Sequence, residues 1–263
     1  MKTNNQITDK TLFIIPCYNE EFRLKTESFL QFESNNSNIH FLFVDDGSQD
    51  RTSLVIGDLC SKMKNSNSLI LTKNVGKAEA IRSGVLILKD DIKDYEFIGY
   101  LDADLSVPLE EINNFLTEIE KNKNIKFLMG IRVARLGANI DRKRSRHYLG
   151  RVFATVVSIL LRKPVYDTQC GVKLIQSSLI TQLFQEKFIS KWLFDVELII
   201  RWKIFYPEYD DMIFEQPLKK WTEVAGSKLK LINFLYAPIE LFKIWITYRK
   251  YLKNDLPTKR KRH

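Results

Sequence analysis

The residues of this chain best suited to chemistry are acids that follow apolar runs. Phe97-Ile98-Gly99-Tyr100-Leu101 ends in Asp102-Ala103-Asp104. Two carboxylates two residues apart at the end of a buried strand can hold a hard divalent cation such as Mg2+ or Mn2+, and that cation can hold a diphosphate. The plainer use of the same residues is a strand closed by an Asx turn. Two further apolar runs end in the same way, residues 11–16 before Asn19 and Glu20, and residues 40–44 before Asp45 and Asp46. Acids gathered at neighbouring strand ends repel one another unless a cation or a donor-rich ligand lies between them. A nucleotide with its metal supplies both.

Such placement demands a particular scaffold. Ligands of open α/β sheets bind at the carboxyl edge of the strands, so the apolar runs must be parallel neighbours. The pattern predicts strands at 11–16, 40–44, 68–72, 97–101 and 127–130. Helices are expected from Asn19 to about residue 32, from about 52 to 63, and across Ala78, Ile81, Val85 and Leu88. Another carries the stripe Leu109, Ile112, Leu116 and Ile119, with Pro108 at its first position. This β-α-β alternation argues for a mostly parallel sheet flanked by helices. Beyond residue 130 the alternation is lost. Arginines crowd 132–151, an apolar helix follows to about 161, and short strands are expected at 172–175 and 213–217. A helix opens at Trp192-Leu193-Phe194-Asp195, and residues 221–228 read as a loop. The stretch 229–253 reads as a helix with a polar stripe of Glu240, Lys243, Thr247 and Lys250 in an otherwise apolar and aromatic surface, kinked or split at Pro238. That face suits a membrane interface; packing on its own domain or on a second copy of the chain would also use it. The basic run Lys259-Arg260-Lys261-Arg262 would strengthen attraction to anionic lipid.

Composition narrows the classes. The net charge of +9 favours an anionic partner, and 44% hydrophobic residues suffice for a sizeable core. Cys17, Cys60 and Cys170 lie far apart and His40, His147 and His263 are scattered, which speaks against a disulfide framework and a zinc site. No apolar leader or membrane-spanning run is expected. There is no G-x-G-x-x-G, and Gly76-Lys77 is followed by Ala78, so dinucleotide and Walker loops fit badly. Acid-lined strand ends argue against a nucleic-acid binder.

Four ordered motifs, Pro16-Cys17-Tyr18-Asn19-Glu20, Val44-Asp45-Asp46-Gly47-Ser48, Asn74-x-Gly76-Lys77 and Asp102-Ala103-Asp104, resemble those of the inverting glycosyltransferases of family 2, which have the GT-A fold. Asp167-Thr168-Gln169-Cys170-Gly171-Val172-Lys173-Leu174, Trp192-x-Phe194-Asp195-Val196-Glu197 and Trp221-Thr222-Glu223-Val224-x-Gly226-Ser227-Lys228 resemble the branch that glycosylates dolichyl and bacterial polyprenyl phosphates. The resemblance implies a GT-A (Rossmann-like) domain over 1–225 and an amphipathic helical appendage over 226–263. It implies a UDP-sugar donor, with Pro16, Tyr18 and Glu20 lining the nucleotide site, Asp46 holding the base and Lys77 nearby. Asp102 and Asp104 would hold the diphosphate through Mg2+ or Mn2+, Asp104 as the direct ligand. Some relatives carry a metal-binding glutamine where Ser106 stands, a position water can fill.

Asp195 falls where many relatives carry a general base, which a hydroxyl acceptor requires. A phosphate acceptor is already ionised and needs cations instead. Arg132, Arg142, Arg144, Arg146 and Arg151 would supply them, leaving Asp195 to orient the donor sugar or an arginine. The expected reaction is transfer of a hexose, glucose first, to a polyprenyl phosphate at the cytoplasmic face of a membrane by a peripheral protein. A family 2 enzyme acting on a saccharide or lipid hydroxyl, or a non-catalytic nucleotide-sugar-binding membrane partner, would use much of the same surface.

Overall fold

The computed structural model describes residues 10–142, 144–224 and 231–253, with the side chains of 144, 231–235 and 253 left aside. Seven strands form the central sheet: β1 (Thr11–Cys17), β2 (Ile39–Asp45), β3 (Ser66–Ile70), β4 (Phe97–Leu101), β5 (Phe127–Ile131), β7 (Val172–Gln176) and β8 (Ile213–Pro217). Their order is β3-β2-β1-β4-β7-β5-β8. All neighbours are parallel except β7, which runs antiparallel to both β4 and β5. Two short strands, β6 (Asn139–Asp141) and β9 (Lys220–Thr222), pair in a second sheet. The result is the expected α/β sheet of mostly parallel strands flanked by helices.

Alternation along the strands builds two apolar layers. Leu12 and Ile14 of β1 face one side with Ile81 and Val85 of α3 (Lys77–Ile87); Phe13 and Ile15 face the other with Phe29 of α1 (Thr26–Asn35) and Ile56 of α2 (Thr52–Lys62). A strand buried on both faces carries the near-continuous apolar run seen in Thr11–Cys17. Phe29 sits edge-on to Phe41 and Phe43, ring centres 5.3 and 5.0 Å away. Truncating such a residue costs about 3–5 kcal/mol.

Several boundaries differ from expectation. The first helix opens at Thr26, not at Asn19. Asn19 has φ +49° and its N–H donates to Ser48 Oγ at 2.9 Å, while Glu20 N–H donates to Thr52 Oγ1 at 2.7 Å. Residues 19–21 are thus tied to the 48–52 turn and follow no helical path. Pro108 stands in a turn before α4 (Glu111–Lys121), where its carbonyl accepts from Glu111 N–H. β3 begins two residues earlier than predicted and α5 (Arg144–Leu161) reaches further back into the arginine-rich stretch. A helix at Ser177–Phe184 (α6) went unforeseen, and part of the expected 221–228 loop is β9. Residues 225–230 and the basic run 259–262 lie outside the described residues.

α7 (Phe194–Phe205) is buried around most of its circumference. The last helix, α8 (Leu231–Lys253), runs through Pro238 without a break. Ala237, Leu241, Ile244 and Leu252 of α8 join the core cluster formed by α3, α6 and α7, so one face of the helix is packed on its own domain. The opposite face leaves Tyr236, Ile239, Phe242 and Ile246 exposed. Among the described residues, no helix is long and apolar enough to cross a membrane.

Candidate active site

The carboxyl ends of β1, β2 and β4 open into a cleft of about 700 Å³ whose far wall is α5, the Tyr166–Gly171 segment and the start of α7. Pro16, Tyr18, Glu20, Asp46, Lys77, Asp102, Asp104 and Asp195 all line it, as do Arg132, Arg142, Arg146 and Arg151. Residues spread over more than half the chain therefore meet at one place. Of the expected site residues only the side chain of Arg144, which begins α5, falls outside the described set.

Each strand end is shaped by local chemistry. Asp45 is wholly buried and accepts from Ser48 N–H at 2.9 Å and from the hydroxyls of Ser48 and Ser53. It builds the turn in which Gly47 takes φ +64°, a conformation a side chain would strain and for which there is no room beside Lys73. Asp46 accepts from Val75 N–H at 2.7 Å, Gly76 N–H at 2.9 Å and Asn74 Nδ2 at 3.1 Å. The second and third motifs are thus one structure, the aspartate of one holding the loop of the other. Burial, with Asp45 beside it, raises the Asp46 carboxyl above its ordinary value despite the two N–H donors.

At the end of β4, Lys77 Nζ lies 2.5 Å from Asp102 Oδ1, and Arg23 Nη2 lies 3.7 Å from Asp104 Oδ2. Ser106 closes on Asp104, its N–H at 2.9 Å and its hydroxyl at 2.7 Å from Oδ1. Burial raises the Asp102 carboxyl, and Asp104 and Asp195 add to that, outweighing Lys77. Burial works against the Lys77 ammonium, but Asp102, Asp195 and Asp104 together hold its proton more firmly than usual. Gly171 stands where a Cβ would lie 2.2 Å from Asp102 Oδ2, so only glycine leaves this carboxylate its place. The donor set is hard carboxylate oxygen, with Lys77 and Arg23 beside it, and it suits Mg2+ or Mn2+. Among the described residues no third His, Cys, Asp or Glu joins the pair in a metal-binding group, which leaves shell positions for water and ligand oxygens.

Asp195, in the first turn of α7, is differently placed. Its side chain is 5% exposed, Lys173 Nζ lies 2.7 Å from Oδ1, and Tyr100 donates its hydroxyl to the same oxygen. Lys173 is completely buried and also donates to Cys170 carbonyl at 2.8 Å. Burial and the Asp195 charge push the Tyr100 phenol well above its ordinary value. Both contacts fall on Oδ1, and Asp195 also lines the cleft.

The arginines divide into two kinds. Arg132 grips Asp167 with Nε at 2.6 Å and Nη2 at 2.8 Å, and lies over the Trp221 ring. Burial disfavours both charges, yet each holds the other ionised: Arg132 is raised and Asp167 lowered. Arg132 thus spends Nε and Nη2 on a carboxylate while still lining the cleft. Arg146 is paired with Glu223 at 2.9 Å, and Arg151 donates to Tyr166 carbonyl while stacking on its ring. Arg142 makes no hydrogen bond or ion pair with any described residue. It rests against Gly150 of α5, and burial together with the neighbouring Arg132 lowers its pKa.

Lys173, Tyr100 and Arg23 were not singled out from sequence. The lysine had a signal: Val172-Lys173-Leu174-Ile175 places a charge inside an apolar strand, where it must have a buried partner.

Comparison with known proteins agrees with this geometry. The model of the family "Glycosyl transferase family 2" matches residues 12–184. The dolichyl-phosphate beta-glucosyltransferase of Homo sapiens is 30% identical over 241 residues, covering 84% of this chain and 70% of the relative. That of Saccharomyces cerevisiae is 29% identical over 255 residues, covering 87% and 72%. A dolichyl-phosphate beta-glucosyltransferase of Trichomonas vaginalis is 28% identical over 249 residues, covering 90% and 73%. Among solved structures, glucosyl-3-phosphoglycerate synthase from Mycobacterium tuberculosis, in complex with Mn2+, UDP-glucose and phosphoglyceric acid, superimposes with a TM-score of 0.62 at 16% identity, covering 90% of this chain and 79% of that one. The likeness in structure extends the GT-A fold over 90% of the chain, and with the family model matching residues 12–184 the chain belongs to glycosyl transferase family 2.

Proposed function

We propose that this protein transfers glucose, with inversion, from UDP-glucose to a dolichyl or other polyprenyl phosphate at a membrane surface. The observation that carries the choice of acceptor is the arginine wall of the cleft, where Arg142 pairs with no described residue. A hydroxyl acceptor needs a base free to take its proton. A phosphate monoester arrives ionised and needs a cation to meet it, which a guanidinium supplies. The names of the relatives, dolichyl-phosphate beta-glucosyltransferases, support the same acceptor and sugar, and the UDP-glucose and Mn2+ complex of the structural neighbour supports the donor.

In this reading Asp46 and the loop it holds receive the base, with Pro16, Tyr18 and Glu20 framing the nucleotide. Asp102 and Asp104 hold a divalent cation, which when bound supplies Lewis-acid stabilisation of the departing diphosphate. Lys77 favours the ionised form of Asp102, orients it and adds positive charge beside the leaving group. Asp195, fixed by Lys173 and Tyr100, accepts hydrogen bonds from the sugar. Arg142, with Arg146 and Arg151 on the same wall, draws the acceptor phosphate in; Arg132 shapes that wall through Asp167. The acceptor oxygen then attacks the anomeric carbon opposite the bond to UDP. A lipid acceptor also needs an apolar approach. The outer faces of α5, with Tyr148, Val152, Val156 and Ile159 exposed, and of α8 offer one beside the arginine wall, which supports peripheral contact with an anionic membrane surface.

The test is transfer of labelled glucose from UDP-glucose to short-chain polyprenyl phosphate with Mg2+ or Mn2+. Labelled lipid that disappears in Asp104→Ala is expected. Binding of UDP-glucose without labelled lipid, together with turnover on a hydroxyl acceptor that Asp195→Asn abolishes, would overturn the phosphate reading.

A further inference from the structure

The inner face of α8 packs through Ala237, Leu241 and Ile244, and it carries one carboxylate that packing does not require. Glu240 is half-buried, and the sequence pattern assigns it to the polar stripe with Lys243 and Thr247. In the structure it turns inward instead, and Ser190 donates its hydroxyl to Glu240 Oε2 at 2.5 Å. Ser190 is 2% exposed, and its Oγ accepts from Leu193 N–H at 2.6 Å and Trp192 N–H at 3.2 Å. A hydroxyl has one proton and two lone pairs. With the proton given to a carboxylate, the lone pairs are held toward the two backbone donors.

Those donors belong to the turn between α6 and α7 that forms one edge of the cleft. Lys191 and Trp192 line the cleft, and Phe194 and Asp195 follow at once. The Lys191 chain passes Gly76, and its charge acts on Asp46, so the same turn touches the nucleotide end of the site. α8 grips this turn a second time from two helical turns further on. Tyr248 donates to Glu197 Oε1 at 2.8 Å, and Glu197 Oε2 accepts from Ile189 N–H at 2.8 Å. Residues 189 and 190 are thus both fastened, directly or through Glu197, to a helix whose described side chains do not line the cleft.

We infer that Glu240 is a positioning residue for the donor site: through Ser190 it holds the Lys191–Asp195 edge in its binding geometry, so that α8 sets affinity for the nucleotide sugar from outside the cleft. This rests on the reading of the cleft as the UDP-sugar site. The proposal distinguishes a positioning contact from a merely structural one, because the first acts on donor affinity and the second on the amount of folded protein.

The full chain and its Glu240→Ala, Glu240→Gln and Ser190→Ala variants would be compared for KM of UDP-glucose and kcat with short-chain polyprenyl phosphate, for Kd of UDP by calorimetry, and for Tm. Thr247→Ala, on the exposed face of α8, is the control. Loss of a charge-assisted hydrogen bond predicts about a five- to tenfold rise in KM and Kd for Glu240→Ala and Ser190→Ala, with kcat within about twofold. Glu240→Gln, which keeps an acceptor oxygen, restores both to within about twofold. Unchanged KM and Kd in the Ala variants, or a loss of kcat that follows Tm while KM stays put, would overturn the inference. Where Glu240→Ala fails to fold, Glu240→Asp, which keeps the charge but shortens its reach to Ser190 Oγ, gives the same answer. Failure of the underlying reading appears elsewhere, in an unmutated chain that binds no UDP, and takes the inference with it.

Discussion

Replacing Gly171 by alanine adds one methyl group and directs it at a single side chain. The three nearest atoms to the new Cβ all belong to Asp102, beginning with Oδ2 at 2.2 Å and Cγ at 2.5 Å. Ordinary contact between such atoms is near 3.4 Å, so the carboxylate must retreat by about 1 Å. That motion pulls Oδ1 from Lys77 and breaks the alignment of Asp102 with Asp104. A misplacement of this size at reacting groups costs on the order of 100-fold in rate, about 2.7 kcal/mol of barrier. Most of the clash falls on the movable end of a side chain at the cleft, with Asp102 Cβ at 3.1 Å asking only a small adjustment of the backbone, and Tm should shift by no more than about 2–4 °C, the effect of roughly 1 kcal/mol. The assay is kcat/KM for labelled glucose transfer from UDP-glucose, with Tm measured on the same preparation. Activity within about threefold of the unmutated chain would refute the claim that the Asp102 carboxylate must occupy the place Gly171 leaves. A collapse of Tm would refute the claim that the residue serves the site and not the fold.

Lys173→Met strips Asp195 of its buried counter-charge and should destabilise the protein by about 3–5 kcal/mol in denaturant melts, with much of the loss recovered by adding Asp195→Asn; a neutral single variant would show that the pair is not energetically coupled. Arg142→Ala should raise the KM for short-chain polyprenyl phosphate about tenfold while leaving the KM for UDP-glucose near its starting value, a split that steady-state kinetics reads directly. The raised pKa of Asp102 in the metal-free protein fixes a sign for pH dependence: its charge is lost as pH falls through a value above that of an exposed aspartate, so donor KM measured at sub-saturating metal should begin to climb at a higher pH than an exposed aspartate would dictate. A KM profile flat down to about pH 4 contradicts this. Phe242→Glu, on the exposed face of α8, should reduce co-sedimentation with vesicles containing anionic phospholipid and leave Tm unchanged; equal sedimentation would remove α8 from the membrane contact.

Much of the donor half of the cleft was legible as written. The runs before Asn19, Asp45 and Asp102 are apolar on successive residues because central parallel strands are buried on both faces, and they stop where the chain reaches the solvent edge. That is a local property, so it survives in the linear sequence, and the order of four motifs carried the family. Local signals misled where a distant partner intervened. Asn19 and Glu20 look like the start of a helix, but Ser48 and Thr52 hold their N–H groups in a turn.

What composition and spacing could not supply was the pairing of groups far apart in the chain. β7 enters the sheet antiparallel between β4 and β5, and only that insertion sets Gly171 against Asp102 and sends Lys173 to Asp195. Six arginines between 132 and 151 look alike in sequence. Tertiary structure gives Arg132 to Asp167 and Arg146 to Glu223, and leaves Arg142 facing the cleft. The tail helix has apolar residues enough for a membrane or for a core, and the fold uses one face for the core while turning Glu240 inward to Ser190. A sequence records what each residue prefers for its own backbone and its own burial. Which charge meets which is decided by the packing of the whole, because buried charges take the partner that the assembled layers bring within reach.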